Sequence, residues 1–431
     1  MRFHSVTLDS KKCKGCINCI KRCPTQAIRV RNGKAVIIER LCIDCGECIR
    51  VCPHHAKKPV YDSLSMLEEF EYNIAMPAPT IYGQVANMDD IDYLLSAFLE
   101  MGFDGVFEVS RAAELVSEAT RLKMQKGELK MPIISSACPA IERLIRIRFP
   151  DLCSNILPIL SPMEIAANMA REEAMQETGL SGDKIGVFFI SPCPAKVTET
   201  KRPLGCEVSA VSGALSIADI YPALISAMNK IDKPKPLSKS GLIGVSWAGS
   251  GGESAALLDN SYLAVDGIEN VINVLEEIED EKLRNVHFVE MNACPGGCVG
   301  GVLTVENPYV AKTRIQLLRK YLPVAQNHLE DACVPESMMI SKPIMPSKAL
   351  MLSDSVSDSM RLRTEIDSVY ARLPGLDCGS CGAPTCRALA EDVIKGVARE
   401  NDCVFTLRER VRELARSMTG MGMGGFGTFT K

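Results

Sequence analysis

The cysteines near the amino-terminal end of the chain have a spacing suited to metal clusters. Two runs, "CKGCINCIKRCP" and "CIDCGECIRVCP", share the pattern C-x2-C-x2-C-x3-C followed by proline. In this pattern three cysteines of each run bind one [4Fe-4S] cluster and the fourth binds the other cluster. Two zinc sites are the alternative, which two complete runs ending in proline disfavour. The predicted ligands are Cys13, Cys16, Cys19 and Cys52 for one cluster, and Cys42, Cys45, Cys48 and Cys23 for the other.

A second set of cysteines follows three predicted strands. The runs "IISSACPA", "FFISPCPAK" and "FVEMNACPGGC" lead into Cys138, into Cys193, and into Cys294 and Cys298. Because ligands of open parallel sheets lie beyond the carboxyl ends of the strands, these four thiolates are expected to converge on a cluster. The two glycines between the last two cysteines permit positive φ and a close approach of the main chain to a bulky group.

The carboxy-terminal cysteines form a further group. "LPGLDCGSCGAPTC" and "ENDC" give the spacing C-x2-C-x4-C-x16-C, with Cys378, Cys381, Cys386 and Cys403 as the ligands. Zinc can also bind four cysteines, so the spacing alone leaves zinc and iron–sulfur both open. The three remaining thiols, Cys153, Cys206 and Cys333, are expected to be small buried hydrophobes.

Composition narrows the class of protein. The chain has 431 residues, 46% hydrophobic and 24% charged, with a net charge of −4 and no Lys/Arg block, so nucleic acid is not an expected partner. No apolar run of about 18 residues indicates a membrane span, and "MRFHSVTLDSKK" lacks the apolar segment of a signal peptide. The expected location is the cytoplasm, where 19 cysteines favour metal or redox chemistry over disulfides.

The elements that must position these cysteines are of two kinds. "AIRVRNGKAVIIE" predicts a hairpin that turns at Asn32-Gly33. From about residue 72, apolar runs alternate with helical stretches, which indicates an α/β fold with parallel sheets. Strands are predicted in "YNIAM", "GVFEV", "PIISS", "IGVFFIS", "LIGVSW" and "VHFVEM", and helices over 89–101, 111–126, 163–178 and 268–282.

The same signals divide the chain into domains. An α+β two-cluster domain is expected over 1–71, an α/β domain over 72–332, and a Ser-, Met- and Pro-rich linker over 333–360. A small, mainly α domain is expected over 361–415, and a flexible Gly-rich tail over 416–431.

Taken in order, "SSACPA", "SPCPAK" and "NACPGGCVGG" after a two-cluster ferredoxin module resemble the three cysteine signatures of [FeFe]-hydrogenases, over about residues 1–330. The resemblance implies an H-cluster between two lobes of the α/β core. This cofactor is a [4Fe-4S] cube joined through one cysteine sulfur to a two-iron subsite that carries CO, cyanide and a bridging azadithiolate. Cys138, Cys193, Cys294 and Cys298 would hold the cube, and Cys298 would be the bridge.

The carboxy-terminal module resembles the small [4Fe-4S] domain of corrinoid iron–sulfur proteins and electron-transport complexes. With this module, the chain resembles the sensory [FeFe]-hydrogenases, which implies three accessory [4Fe-4S] clusters beside the H-cluster.

The resemblance also assigns the surroundings of the two-iron subsite. Lys196, three residues after Cys193, matches a lysine that contacts a cyanide, and a fixed ammonium suits an anionic ligand. The other residues expected to contact the cofactor are Ala78, Pro79, Thr80, Pro162, Ser136 and Pro192.

Three positions correspond to the proton path of the productive enzymes and two of them differ here, while Ser191 is a further departure from the catalytic pattern. Ala137 stands where those enzymes have a relay cysteine, Arg121 where they have a second acid, and Ser191 where they have a methionine; Glu118 matches a relay glutamate. Each step of a proton relay needs hydrogen-bond reach and a matched pKa. Turnover is therefore expected to be slow.

The resulting prediction is a slow, sensory or regulatory [FeFe]-hydrogenase. It would interconvert H2 with protons and electrons, and the electrons would pass through the ferredoxin-type clusters and the carboxy-terminal cluster. The first alternative is a non-catalytic hydrogenase-like iron–sulfur protein that delivers clusters or transfers electrons without a two-iron subsite. A subunit of a larger electron-transfer complex is the second. A redox or signalling protein is the expected partner, its identity is open, and a homodimer is left open too.

Overall fold

The computed structural model describes residues 3–86, 88, 90–330 and 333–421, and for residues 419–421 only the main chain. The chain folds into two compact units. The first contains Met1–Thr7, Cys42–Arg50 and Lys57–Ser347, and the second contains Leu8–Leu41, Val51–Ala56 and Lys348–Lys431. The expected domain 1–71 and the expected linker 333–360 therefore each contribute to both units.

The described strands are β1 (Val6–Leu8), β2 (Ile28–Arg31), β3 (Lys34–Ile37), β4 (Lys57–Pro59), β5 (Tyr72–Pro77), β6 (Gly105–Val106), β7 (Ile133–Ile134), β8 (Ile185–Ser191), β9 (Gly213–Ser216), β10 (Tyr262–Asp266) and β11 (Phe288–Asn292). The described α-helices are α1 (Asn18–Lys21), α2 (Glu47–Arg50), α3 (Ile91–Glu100), α4 (Val109–Lys126), α5 (Pro139–Arg148), α6 (Pro162–Thr178), α7 (Pro194–Lys201), α8 (Ile217–Met228), α9 (Leu242–Ser246), α10 (Gly252–Ala256), α11 (Ile268–Glu279), α12 (Pro308–Leu318), α13 (Val356–Tyr370), α14 (Cys386–Ile394) and α15 (Val404–Met421).

The first unit is built on two parallel sheets, as the alternating pattern predicts. One has four strands in the order β6-β5-β8-β9, and the other has three strands in the order β10-β11-β7. All the pairings within these two sheets are parallel. The short strands β1 and β4 form a separate pair.

The four-stranded sheet is buried on both faces. Alternate residues of β8 join different cores: Val187 and Phe189 pack with α4 and α6, and Phe188 and Ile190 pack with α3 and α8. Helices on both faces explain why β8 is a continuous apolar run rather than an alternating one.

Five of the six predicted strands are present, and β9 and β10 were not predicted. The prediction for "LIGVSW" is wrong, because this run forms helix α9. A short apolar run does not distinguish a buried strand from a buried helix. Here Gly244 lets α9 lie against the main chain of Ser110 in α4, where any side chain would collide.

The second unit contains the predicted hairpin. β2 and β3 are antiparallel, and Asn32 and Gly33 turn between them with φ of 50° and 71°, which only turn-forming residues adopt readily. Arg29 Nε donates to the buried Asp392 carboxylate on α14 at 2.6 Å, and Arg31 Nη2 donates to the same oxygen at 2.5 Å. These bonds hold the hairpin against α14.

The last helix continues past the expected start of the tail. α15 runs through Met421, so residues 416–421 are helical, and residues 422–431 lie outside the described part of the chain. In the part of the chain that the structure describes, no helix is long and apolar enough to cross a membrane.

Candidate active site

Two of the expected cube ligands occupy the same structural position. Cys138 is the residue before α5 and Cys193 is the residue before α7, and each helix begins with a proline. Proline is favoured at the first helical position because its fixed φ suits the helix and it lacks the N–H that would stay unpaired. The free N–H groups of a first helical turn carry partial positive charge, which stabilises a thiolate beside them.

The loop that carries the other two ligands depends on its glycines. Gly296 and Gly297 have φ of 77° and 94°, so the predicted positive φ is confirmed. Gly297 has a ψ of −157°, a combination that is essentially restricted to glycine. A side chain on Gly297 would collide with the main chain of Gly249 and Ser250. The close approach that these glycines permit is therefore to another loop of the protein.

The four thiols influence one another. Burial and then the Cys138 thiol raise the pKa of Cys193 to about 11. Burial and then the Cys193 thiol raise the pKa values of Cys294 and Cys298. Buried thiols that cannot all ionise alone become stable thiolates when a metal supplies positive charge. The set therefore suits a metal cluster.

A cavity of about 90 Å³ lies beside three of these cysteines. It is the place where the two-iron subsite is expected. The structure brings most of the predicted residues to its wall, namely Cys138, Cys193, Cys298, Ala78, Pro79, Thr80, Ala137, Pro162, Pro192 and Lys196.

Three predicted residues lie elsewhere. Ser136 donates from Oγ to the carbonyl of Ile159 at 2.7 Å, and Ser191 donates from Oγ to the carbonyl of Cys193 at 2.9 Å. Glu118 accepts a hydrogen bond from the main-chain N–H of Leu329 at 2.9 Å. None of the three is part of the cavity wall, so Ser136 and Ser191 support the ligand loops rather than contact the cavity.

Two polar groups at the cavity have no hydrogen-bond partner among the described residues. The Thr80 hydroxyl is fully buried and unpaired, although buried hydroxyls normally form hydrogen bonds. The half-buried Lys196 lies in the first turn of α7, where the helix dipole disfavours a cation. Burial raises the pKa values of Glu142 and Glu164, and the charge of Lys196 opposes that rise, so these carboxyl groups lie near the ammonium although neither forms a hydrogen bond or an ion pair with it. Both arrangements leave a donor for a polar or anionic group in the cavity. The residues present therefore fit a thiolate-bound iron centre that carries cyanide and CO.

Glu290 is a buried carboxylate on the cavity wall that accepts three hydrogen bonds. Its oxygens accept from the main-chain N–H groups of Gly251 and Ser254 and from the Asn292 side chain, each at 2.9 Å. Burial raises the pKa of Glu290, and the donors of Ser254 and Gly251 oppose that rise. The three donors stabilise the negative charge of Glu290 more than the single donor of the other carboxyl group on the cavity wall, Glu253, stabilises a charge there.

Glu253 is the second buried carboxylate of the wall. Burial and then the neighbouring Glu290 raise the pKa of Glu253 well above its usual range, opposed by one donor, the Ser135 hydroxyl at 2.7 Å. Ser135 in turn accepts from the N–H of Ala137 at 3.1 Å. Of the two carboxyl groups, Glu253 is therefore the one that more readily keeps a proton, and hydrogen bonds through Ser135 connect it to the main chain of Ala137.

One feature of the sequence could have predicted a buried carboxyl group here. Glu290 interrupts the apolar strand "VHFVEM" directly before the cysteine loop, and a buried polar residue in such a strand needs a partner. Glu253, in "GSGGES", shows no such feature. Trp247 also lines the cavity, packs against the core, and donates from Nε1 to Ser117 Oγ at 3.0 Å.

The ferredoxin-type cysteines of the second unit accept hydrogen bonds from the main chain. The N–H of Ala27 points to Cys23 Sγ at 3.2 Å, the N–H of Ala56 to Cys52 Sγ at 3.3 Å, and the N–H of Ala35 to Cys13 Sγ at 3.5 Å. Such bonds stabilise thiolate and tune cluster potentials.

The thiols of the described residues are not drawn together as in a zinc site. Two sulfurs on a tetrahedral zinc, each bound at about 2.3 Å, lie roughly 4 Å apart. Among the described residues, no three cysteines have sulfurs that all lie within 4.8 Å of one another; only His4, Cys42 and Asp44 bring three ligand atoms that close.

Of the other thiols, Cys153 and Cys206 are half-buried, and Cys333 is exposed, so its predicted burial is wrong. Cys333 lies in a loop, where no core is available to cover it.

The fold and the site together define a hydrogenase-type iron–sulfur protein. The family "Iron only hydrogenase large subunit, C-terminal domain" matches residues 71–260 and 250–302, more than half of the chain. A "4Fe-4S dicluster domain" matches residues 5–53, and an "Fe-S cluster" family matches residues 373–405. The chain belongs to the [FeFe]-hydrogenase family.

Similar proteins are known from bacteria. Iron hydrogenase 1 of Clostridium pasteurianum is 24% identical over 372 residues, which cover 70% of this chain and 65% of that protein. The periplasmic [Fe] hydrogenase large subunit of Nitratidesulfovibrio vulgaris is 25% identical over 363 residues, which cover 70% and 86%. The chain thus spans just under two thirds of the Clostridium protein.

More remote matches were also found. A variant of the [FeFe]-hydrogenase HydA1 from Chlamydomonas reinhardtii superposes with a TM-score of 0.47 at 14% identity, covering 59% of this chain and 86% of that one. The cytosolic Fe-S cluster assembly factor NAR1 of Scheffersomyces stipitis is 28% identical over 122 residues, 27% of this chain and 22% of that protein.

Proposed function

We propose that the protein is a slow [FeFe]-hydrogenase of the sensory type, which interconverts H2 with protons and electrons at an H-cluster. One observation carries the proposal: a single cavity joins Cys298, Lys196 and two buried carboxyl groups, of which Glu253 has a pKa raised well above its usual range by burial and by Glu290. An enzyme that splits or forms H2 at an H-cluster needs a residue that binds the metal, a cation that binds the anionic ligands, and a group that carries protons.

Each group at the cavity has a defined task. When bound, the H-cluster supplies the iron site at which H2 is split or formed. With the cofactor bound, Lys196 would hold a cyanide through a charge-assisted hydrogen bond, and the Thr80 hydroxyl, which has no partner among the described residues, would donate to a second polar ligand. Pro79 and Pro162 close the apolar wall and exclude water.

The proton path in this protein runs through the carboxylate pair. Glu253 holds a proton on Oε and can release it towards the cavity, while Glu290, fixed by its three donors, stabilises the charge that moves. Ala137 leaves a gap in this path, since methyl groups carry no proton. The gap and the absence of a relay cysteine account for slow turnover.

Electrons leave through the ferredoxin-type loop of the first unit. Thr198 on α7 donates to Asp44 Oδ2 at 2.9 Å, and Arg50 Nη2 donates to the carbonyl of Gly300 at 2.7 Å. These bonds fix the loop of Cys42, Cys45 and Cys48 beside the segments that hold the H-cluster. Three accessory [4Fe-4S] clusters complete the proposed set; among the described residues, no three cysteine sulfurs lie within 4.8 Å of one another.

The second candidate function is that of a non-catalytic iron–sulfur protein, favoured by the similarity to NAR1 over part of the chain. Such a protein would bind a cube at Cys138, Cys193, Cys294 and Cys298 without a two-iron subsite. It would have no use for an unpaired lysine and an unpaired hydroxyl at a cavity beside that cube. These two groups favour the hydrogenase.

Replacement of the bridging cysteine tests the proposal. Cys298→Ser should abolish H2 oxidation with an artificial acceptor, because the two-iron subsite loses its anchor. Electron paramagnetic resonance should still detect the accessory clusters, which use other cysteines. Normal H2 oxidation in this variant at full cluster content would refute the assigned bridge. Cys153→Ser, which replaces a half-buried thiol outside the cavity, is the matched control and should keep the parental rate.

A further inference from the structure

Helix α15 exposes a regular apolar stripe. Its members are spaced alternately three and four residues apart, and between 46% and 74% of each side chain is exposed. A surface helix normally turns such residues to a core. We call this stripe the α15 seam, and it consists of Val404, Leu407, Val411, Leu414 and Met418.

The spacing of the α15 seam is that of a coiled coil. Residues three and four apart fall on one narrow line along a helix and repeat every seven residues, as positions a and d do. Valine at a (Val404, Val411) with leucine at d (Leu407, Leu414) favours two parallel strands over three or four. A helix that lies on a membrane surface would instead have a broad apolar face.

We infer that the α15 seam binds the α15 seam of a second copy of this chain, as a parallel two-stranded coiled coil. The residue types select two identical strands, and the charges beside the seam select their direction. Nothing in this inference depends on hydrogenase activity, since α15 contributes no residue to the cavity.

The flanking arginines disfavour the antiparallel arrangement. In an antiparallel pair, Val404 of one copy would lie opposite Leu414 of the other. The middle of each helix would then contact the middle of the other, and Arg408 and Arg410 would each lie near the same residue of the other copy. Such like-charge pairs destabilise a coiled coil. In a parallel pair, Arg410 faces Ala415 of the other copy and Arg408 faces Cys403, so no like charges meet.

The dimer would place two clusters at one end. Cys403, a predicted ligand of the carboxy-terminal cluster, immediately precedes α15, and its carbonyl accepts from the N–H of Leu407 at 2.9 Å. A parallel seam therefore sets the carboxy-terminal cluster sites of both copies at its base. One hydrogen-bonded turn of the chain then connects each carboxy-terminal cluster site to the dimer interface.

Sedimentation of the full, cluster-loaded protein tests the inference. The seam has just over two heptads and is smaller than a standard interface, so protein concentrations of about 1 to 200 µM are needed. The parent should shift from monomer to dimer over this range. Val411→Glu and Leu414→Glu should each weaken association about tenfold or more. A parent that stays monomeric, or a dimer that survives both substitutions, overturns the inference.

A matched control separates the seam from general hydrophobicity. Phe405 is 41% exposed on the same helix but lies about 130° away from the middle of the seam. Phe405→Glu should leave the dimer intact. If it weakens association as much as Leu414→Glu does, the contact is not a seam. Monomeric parent protein that binds anionic vesicles through α15 would likewise overturn the inference in favour of a membrane surface.

Cross-linking tests the direction. Met418→Cys places one thiol near its counterpart only when the strands are parallel, because an antiparallel seam puts the two copies of Met418 at opposite ends. A short bis-maleimide, added without air, should give a covalent dimer of this variant above the background of the parent thiols. No increase, in a variant that sediments as a dimer, refutes the parallel arrangement.

Discussion

Glu253 and Glu290 lie side by side on the cavity wall, yet their hydrogen bonds assign them different states. Glu290 accepts three hydrogen bonds and Glu253 accepts one, so Glu253 more readily keeps a proton. Two carboxyl groups at one site whose surroundings separate their pKa values are a common arrangement for acid–base work. Here they lie next to Ala137, whose methyl group carries no proton, so the path that they begin is incomplete.

Removing the proton carrier should slow the enzyme. Glu253→Gln keeps the size and the bond to Ser135 but cannot exchange a proton, so H2 evolution should fall by about 10²–10⁴-fold. Glu253→Asp retains a titratable group and should lose much less. Rates are compared at equal cluster content with a strong artificial reductant. Equal rates for the glutamine variant and the parent would exclude Glu253 from the proton path.

Restoring the thiol should have the opposite effect. Ala137→Cys places a titratable group on the cavity wall next to Cys138, and general acid–base steps contribute about 10²–10⁴-fold where they limit the rate. Recovery should be incomplete, because Arg121 still interrupts the outer path, and adding Arg121→Glu should raise the rate further. If neither variant exceeds the parent rate at equal loading, proton supply does not limit turnover.

At this scale, the sequence predicted a set of ligand residues but not the carboxyl groups beside them. Fixed spacing and adjoining Pro and Gly marked the cysteines, and one short motif carried Lys196. Glu253 and Glu290 come together only through the packing of α10 on β11, a contact between residues 37 positions apart that no local pattern encodes.

At the scale of elements, the loop after β11 depends on the conformation of Gly297. Gly297→Ala should destabilise the protein by about 1–3 kcal/mol for the backbone conformation alone, and by more because the new methyl group meets Gly249 and Ser250. Gly179→Ala, at the end of α6, has positive φ in the ordinary left-handed region (φ 71°, ψ 7°) and no neighbour within 4 Å, so it should lose less stability than Gly297→Ala. The measurement is the midpoint of thermal unfolding. An equal loss in both variants would show that neither the close approach nor the backbone conformation of Gly297 adds a cost.

Long periodic helices were the elements best predicted from the sequence. α4, α6 and α11 lie where the 3.6-residue pattern indicates, because each buries one face against a sheet. Short elements were predicted less well. "LIGVSW" became helix α9 because the fit of Gly244 against α4, a tertiary contact, decided its conformation.

At the scale of the whole molecule, the chain forms two compact units. The cysteine motifs are visible in the sequence, but the bounds of the two units are not. The expected domain 1–71 contributes segments to both units, since each cysteine loop packs with the part of the chain nearest to it. Sequence motifs predict which cysteines bind a cofactor, and long-range packing determines which unit each cysteine segment joins.

Infrared spectroscopy of the parent protein, after maturation with the components that install the two-iron subsite, tests the proposed function most directly. CO and cyanide bound to iron absorb in a spectral window that is free of protein bands. We predict both sets of bands in the parent, a change in those bands on exposure to H2, and a displaced cyanide band in Lys196→Met, which lacks the ammonium. The absence of CO and cyanide bands from matured parent protein whose accessory clusters are complete would contradict the hydrogenase and favour the non-catalytic iron–sulfur protein.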